Sequence, residues 1–293
     1  MQIGVHLPHV GPSATRENLL EFARRMEGLG YDSLWVSDHV VIPRQYESRY
    51  PYNPAGRLGW EDLPLLEPLS TLLFVAGVTE RVRLGTTVLV LPMRNPVLHA
   101  KIMATLDHLS GGRVILGAGV GWLKEEFDAL DEPFEHRGAR TDEYIAVIKN
   151  LWTKDDPSFE GRYYRLGNVA CYPKPVQQPH PPIWIGGNTD PALRRAARLG
   201  DAWHGAGSTP EEVAAAAEKL RAYAREAGRA PEAIAVTVRT GLRADDAPDT
   251  VLERMRRYKD AGVSHVCLET SFRDPARAYA ALERFAREVR PRL

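Results

Sequence analysis

Eight times along this chain a short apolar segment is followed by a longer amphipathic one, and few folds accept that rhythm. The short segments are residues 3–7, 33–36, 82–90, 114–118, 183–185, 202–204, 234–240 and 263–268. Between and after them lie helical patterns. The first shows Leu19, Leu20, Ala23, Met26 and Leu29 at helical spacing, between a capping Thr15 and Gly30. Further helices are expected over 68–78, 96–109, 122–130 with 141–152, 191–199, 210–227, 250–261 and 275–289. Strict alternation implies a parallel sheet, because parallel neighbours need a crossover connection. At 293 residues, eight such units match a closed (β/α)8 TIM barrel of the α/β class better than a doubly wound sheet in two domains. The glycines Gly117, Gly119 and Gly121 lie mid-chain and lack the spacing of a dinucleotide fingerprint, which also disfavours the doubly wound alternative. A single barrel domain over 1–293 is expected, with insertions near 40–67 and 159–182. The first is rich in proline, tyrosine and glycine, and a loop of that length is usually a lid or a binding loop. The second loses periodicity, holds five prolines between Pro173 and Pro182, and reads as hairpin-like.

Charge narrows the partners. Lysine plus arginine balances aspartate plus glutamate at 38 each, so nothing recommends nucleic acid or an acidic membrane surface. No apolar run reaches membrane-spanning length. Cys171 and Cys267 form no paired motif, which suits a reducing compartment, and the first residues run straight into a strand without a signal region. A cytoplasmic protein acting on a small molecule is the expectation.

In a parallel barrel the carboxyl ends of the strands share one mouth, where active sites gather. Asp38 and His39 stand where segment 33–36 stops. An imidazole can pass a proton near neutrality, and a neighbouring carboxylate can hold its tautomer or fix a ligand, although a hydrogen-bonded loop histidine is the plainer reading. His6, at the end of the first strand, faces the same mouth as a possible substrate contact. With His9 it forms no metal site, since no third ligand accompanies the pair. Gly186, Gly187, Asn188 and Thr189 lie between the fifth strand and a helix opened by Asp190-Pro191; they read either as a phosphate grip or as a tight turn. Glycines 117–121 read either as room for a ligand or as barrel packing. Glu125 and Glu126 open a helix, where acidic residues favour the dipole, and that role accounts for both. Tyr46, Tyr50, Tyr52 and Trp60 could roof a planar ligand or tack the long loop to its scaffold.

The ordered set Val36-Ser37-Asp38-His39-Val40-Val41-Ile42-Pro43, Leu84-Gly85-Thr86-Thr87-Val88-Leu89, Leu109-Ser110-Gly111-Gly112-Arg113 through Gly121-Trp122, Ile183-Trp184-Ile185-Gly186-Gly187 and Leu199-Gly200-Asp201-Ala202-Trp203 resembles the bacterial luciferase-like monooxygenase superfamily. Ser-Asp-His followed by Val-Val-Ile-Pro looks most like the branch that uses the deazaflavin coenzyme F420 rather than FMN. The resemblance implies a flavin-like ring across the barrel mouth, with its phosphate-bearing tail near Gly186, Gly187, Asn188 and Thr189. It places Asp38 and His39 beside the ring and makes Thr87-Val88 a backing bulge, in relatives often through a cis peptide. Val120 and Gly121 would line the ring's edge. From their places at the strand ends and in the long loop, His6, Trp122, Tyr52 and Trp60 are expected in the substrate pocket. The resemblance also implies a homodimer, to which Leu72, Leu73, Ile102 and Met103 could contribute.

Two departures matter. Deazaflavin-dependent sugar-phosphate dehydrogenases carry a proton-transferring glutamate where this chain has Trp122, and a tryptophan where it has Ile42-Pro43. Both argue against sugar-phosphate activity and leave His39 as the main acid/base candidate. The leading expectation is a deazaflavin-dependent hydride transfer to or from a small organic substrate. The alternatives are an FMNH2-dependent monooxygenase fed by a separate reductase, and a barrel that binds a flavin or deazaflavin without turnover.

Overall fold

Strands buried on both faces read as continuous apolar runs, and the barrel strands here are short and buried almost throughout. The computed structural model describes residues 1–293. In chain order the strands are β1 (Gln2–His6), β2 (Ser33–Val36), β3 (Arg83–Thr86), β4 (Leu89–Val90), β5 (Val114–Gly119), β6 (Phe159–Glu160), β7 (Arg165–Leu166), β8 (Ile183–Gly186), β9 (Ala202–Ala206), β10 (Ala235–Gly241) and β11 (Val263–Glu269). β6 and β7 pair antiparallel inside the second insertion, which is therefore hairpin-like. The rest form one parallel sheet. It closes because β1 pairs with both β2 and β11, and β5 pairs with both β3 and β8. β3 and β4 are two parts of one barrel strand, so the closed barrel has eight.

The helices are α1 (Arg16–Gly28), α2 (Pro68–Ala76), α3 (Pro96–Ser110), α4 (Lys124–Ala129), α5 (Arg137–Thr153), α6 (Asp190–Leu199), α7 (Pro210–Glu226), α8 (Pro248–Asp260) and α9 (Pro275–Arg284). Their starts follow local chemistry. Thr15 and Asn95 accept hydrogen bonds from first-turn amides of α1 and α3, and Thr209 forms a capping box with Glu212. No helix is long and apolar enough to cross a membrane.

The barrel's lower interior is built around one indole. Trp35 stacks on His204 with ring centroids 5.4 Å apart, touches Trp184 and His265, and donates to Ser33 Oγ at 2.7 Å. A Cβ on Gly4 would come within 2.4 Å of its Nε1, and one on Gly85 within 2.3 Å of its ring, so the strands flanking β2 make room for it.

The structure departs from the sequence reading at three element boundaries. The expected continuous strand 82–90 is interrupted by a cis peptide at Thr87-Val88. Trp122 precedes α4 instead of opening it, and α5 begins at Arg137. The long segment 40–67 has no helix or strand, only an isolated bridge from Val10 to Leu65.

Candidate active site

At the mouth, Asp38 and His39 leave β2 in opposite directions. The Asp38 carboxylate is fully buried and forms a bidentate pair with Arg94, Oδ1 to Nη2 at 2.6 Å and Oδ2 to Nη1 at 2.7 Å. It also accepts the Val90 amide at 2.8 Å. Both oxygens are thus engaged by α3's approach segment and by β4. The expectation that Asp38 holds the tautomer of His39 is corrected: Asp38 is paired with a forked guanidinium and anchors the strand end.

The carboxylate that holds His39 comes from Glu126, 87 residues away. His39 Nδ1 lies 2.6 Å from Glu126 Oε2, while Oε1 accepts the Val40 amide at 2.6 Å and the Val41 amide at 3.3 Å. Glu126 is 2% exposed. A carboxylate receiving two amide protons can only accept, so the imidazole proton sits on Nδ1. Nε2 is left free. That arrangement leaves one nitrogen able to take up or release a proton.

Glu125, its neighbour, is a latch for the same loop. Its Oε1 accepts the amides of Glu47 and Ser48 at 2.6 and 3.1 Å, while Ser48 Oγ accepts the Lys124 amide at 3.1 Å. Burial works against the Glu125 carboxylate, but these hydrogen bonds outweigh it and hold its pKa down to about 2. The dipole role assigned to both glutamates is therefore incomplete, since consecutive acids at the start of α4 grip residues 40–41 and 47–48.

The gripped loop folds over the mouth as an aromatic roof. Trp122 lies between Tyr46 and Tyr50, with centroids 5.9 and 5.2 Å away, and edge-on to His39 at 6.1 Å. Trp60 approaches His39 from another side at 5.8 Å. Tyr52 meets Tyr50 at 5.5 Å and remains 41% exposed. These aromatics are brought together around His39 through Trp122 and Trp60.

The wall beside them is Val88. A Cβ on Gly119 or Gly186 would meet its side chain at 2.4 or 2.5 Å, so both glycines exist to admit Val88. The cis peptide and these two gaps present a partly exposed isopropyl group at the mouth. Thr87 faces inward, with Oγ1 3.0 Å from His204 Nε2. Val120 is half-buried beside this wall. Gly121 has φ +81°, and a Cβ there would strike Phe127 and Val90 at under 3 Å, so local packing explains it.

Beyond Val88, Gly187 turns the chain at φ +112°. The Asn188 side chain is spent on β9, donating to Ala206 O at 2.7 Å and accepting its amide at 3.0 Å. Thr189 is exposed and makes no side-chain cap to α6. Asp190 pairs with Lys219 at 3.0 Å. Gly187, Thr189 and the first-turn amides of α6 are what this corner offers to an anion.

On the opposite side, His6 is saturated. Its Nε2 lies 2.8 Å from Ser37 Oγ and its Nδ1 3.2 Å from Leu7 O. Burial, with His9 beside it, lowers its pKa to about 3, so it stays neutral. Arg239 reaches from β10 across the mouth to Ser37 Oγ and Thr87 O, each at 3.4 Å.

Residues 1–291 match the sequence model of the family described as luciferase-like monooxygenase. The chain belongs to that family. An uncharacterized protein of Mycobacterium tuberculosis (strain ATCC 25618 / H37Rv) is 34% identical over 258 residues, spanning 87% of this chain and 85% of that one. An F420-dependent glucose-6-phosphate dehydrogenase of Amycolatopsis mediterranei (strain U-32) is 37% identical over 188 residues, 63% of this chain and 51% of its own. An FMNH2-dependent dimethylsulfone monooxygenase of Pseudomonas putida is 38% identical over 157 residues, 53% and 43% of the two lengths. Among solved structures, an F420-dependent secondary alcohol dehydrogenase superposes with a TM-score of 0.80 at 21% identity, covering 99% of this chain and 98% of that one. Luciferase-like relatives thus include both F420- and FMN-dependent oxidoreductases and monooxygenases.

Three members of this luciferase-like site escaped the sequence reading: Glu126 as the partner of His39, Arg94 as the partner of Asp38, and Arg239 at the centre of the mouth. Only Glu126 carried any signal, as one of a pair of glutamates, and that signal was shared with an ordinary helix start.

Proposed function

We propose that this luciferase-like protein is an F420-dependent oxidoreductase, in which hydride moves between the deazaflavin and a small organic substrate while His39 handles the accompanying proton. The observation that carries this reading is the His39–Glu126 pair. Turning a carbonyl into an alcohol by hydride transfer needs a proton as well, and a buried imidazole with its Nδ1 fixed and Nε2 free supplies or removes one.

The lining of the mouth supports the binding of a flat ring. Val88, raised between Gly119 and Gly186, provides an apolar platform, and Trp122, Trp60 and Tyr50 provide a water-excluding roof. Gly187, Thr189 and the amides of α6 would hold the anionic tail. When bound, the deazaflavin supplies the hydride-accepting carbon, and the protein supplies orientation and a dry site. Asp38 and Arg94 keep β2 and β4 in place, and Glu126 keeps the His39 ring from turning.

Titration with F420 is expected to quench its fluorescence at micromolar protein, with His39→Ala keeping that binding while losing turnover. Normal turnover in the variant would remove His39 from the reaction. The P. putida relative supports a second reading, an FMNH2-dependent monooxygenase with a separate reductase. Substrate-dependent oxygen consumption with FMNH2, and none of the F420 binding, would favour it. Leu73, Phe74 and Leu98, exposed on α2 and α3, support a homodimer, which sedimentation would test. Leu72 and Met103 are fully buried and serve the barrel instead.

A further inference from the structure

Four arginines with side chains largely withdrawn from solvent are held by short hydrogen bonds or ion pairs. Arg94 has its bidentate carboxylate, Arg113 makes contacts of 2.7 to 3.0 Å with Ser110 O, Thr79 Oγ1 and three further carbonyls, Arg140 bonds Pro133 O, Pro92 O and Glu132, and Arg195 bonds Asp142 and Gly138 O. That is the usual condition of a buried guanidinium, since an unpaired charge away from water is costly. Arg83, away from the mouth, has one contact at 3.4 Å to Gln177, and at the mouth it is Arg239 that is held loosely. Its side chain is 13% exposed, yet its contacts are Ser37 Oγ and Thr87 O at 3.4 Å and Glu269 at 3.5 Å. Glu269 approaches Nε, not the Nη1–Nη2 edge, and its own side chain is 48% exposed. The histidines nearby, His6 and His9, are neutral in their buried sites: each Nδ1 donates to Leu7 O, and each Nε2 accepts from Ser37, His6 from its hydroxyl and His9 from its amide. The phenol of Tyr50, on segment 40–67, lies against the guanidinium.

The position of this loosely held cation is informative. It lies across the barrel mouth from its own strand, beside the Thr87 carbonyl and so next to the Val88 platform, and within the aromatic roof. Nη1 is held only by its two contacts at 3.4 Å, and a planar fork held so loosely on its outer edge suits a monoanion that offers two oxygens in one plane.

Resting on the reading of this mouth as a redox site, we propose that Arg239 is the substrate anchor and that the substrate class is a small organic monoanion, a carboxylate or sulfonate, bound by the outer edge of its guanidinium beneath Tyr50. A phosphate dianion fits less well because Glu269 stands behind the same guanidinium.

The test uses the whole protein without added cofactor, so that its outcome is separate from the question of F420 or FMN. Benzoate, benzenesulfonate, phenyl phosphate and the neutral benzamide are titrated while tryptophan emission is read, Trp60 and Trp122 being at the mouth. Benzoate or benzenesulfonate is expected to bind at least tenfold more tightly than benzamide, and whichever binds better identifies the group. Arg239→Gln should remove that preference, the loss expected for a charge-assisted hydrogen bond. Glu269→Gln should act in the opposite direction and tighten anion binding several-fold, which no loss of folding could imitate. Equal binding of benzoate, benzenesulfonate and benzamide, or weaker anion binding in Glu269→Gln, overturns the assignment. Tighter binding of phenyl phosphate than of either monoanion overturns the substrate class. Failure of F420 to bind the wild-type protein would refute the cofactor reading alone.

Discussion

Replacing Glu126 by glutamine changes one atom and reverses one hydrogen bond. The amide oxygen can still accept the Val40 and Val41 amides, now held at 2.6 and 3.3 Å. The nitrogen then takes the place of Oε2, 2.6 Å from His39 Nδ1. An amide nitrogen only donates, so Nδ1 must give up its proton and become the acceptor, and the proton passes to Nε2. The nitrogen facing the mouth changes from acceptor to donor. Glu126 is 2% exposed, so water does not stand in for the lost carboxylate. A hydrogen bond to a charged partner contributes about 1.5–3 kcal/mol net, which at 1.4 kcal/mol per factor of ten predicts a loss of roughly tenfold to a hundredfold in kcat/KM.

The assay is long-range proton–nitrogen NMR on protein labelled at histidine nitrogen, with His39 assigned by its disappearance in His39→Gln. Wild type should show His39 protonated on Nδ1 near neutral pH, and Glu126→Gln should show it protonated on Nε2, whatever the change in thermal midpoint. A His39 protonated on Nε2 in wild type, or the same tautomer in both proteins, would refute the reasoning. A merely structural glutamate would lower the midpoint and leave the tautomer where it was.

Three other perturbations follow from the same coordinates. Gly186→Ala places a methyl 2.5 Å from Val88, and overpacking of this kind costs about 1–3 kcal/mol; urea midpoints should fall, and adding Val88→Ala should restore most of the loss. Arg94→Ala leaves the Asp38 carboxylate buried and unpaired, at about 3–5 kcal/mol, so chemical denaturation should show a large loss that Arg94→Ala with Asp38→Asn partly recovers. His99, buried on α3 with Arg94 near it, has its pKa lowered by that burial to about 4. The unfolded chain therefore binds a proton there below pH 6.5 that the folded chain refuses until about pH 4. Stability at this position is full above pH 6.5 and falls on acidification at up to about 1.4 kcal/mol per pH unit. His99→Met should flatten the stability profile over that window relative to wild type, and an unchanged slope would count against it.

How much of this was legible beforehand depended on how far apart in sequence the causes lie. The barrel was readable because periodicity is local: a strand buried on both faces and a helix capped by Thr15, Asn95 or Thr209 each write their pattern within a few residues. The pairing of charges was not readable, because the nearest carboxylate in sequence is not the nearest in space. Asp38 adjoins His39 yet turns to Arg94, since successive residues leaving a strand point to opposite sides. Glu126 satisfies His39 from 87 residues away. The glycines show the same limit in another form. Gly4 and Gly85 yield space to Trp35, and Gly119 and Gly186 yield space to Val88, so a missing Cβ in a barrel strand marks a neighbour's bulk as readily as a ligand's approach. A large side chain that faces the barrel interior therefore predicts small residues on the strands beside it. That rule connects Trp35 to Gly85 directly across the β2–β3 register, and it could have separated the packing glycines from Gly187, whose positive φ has a different cause.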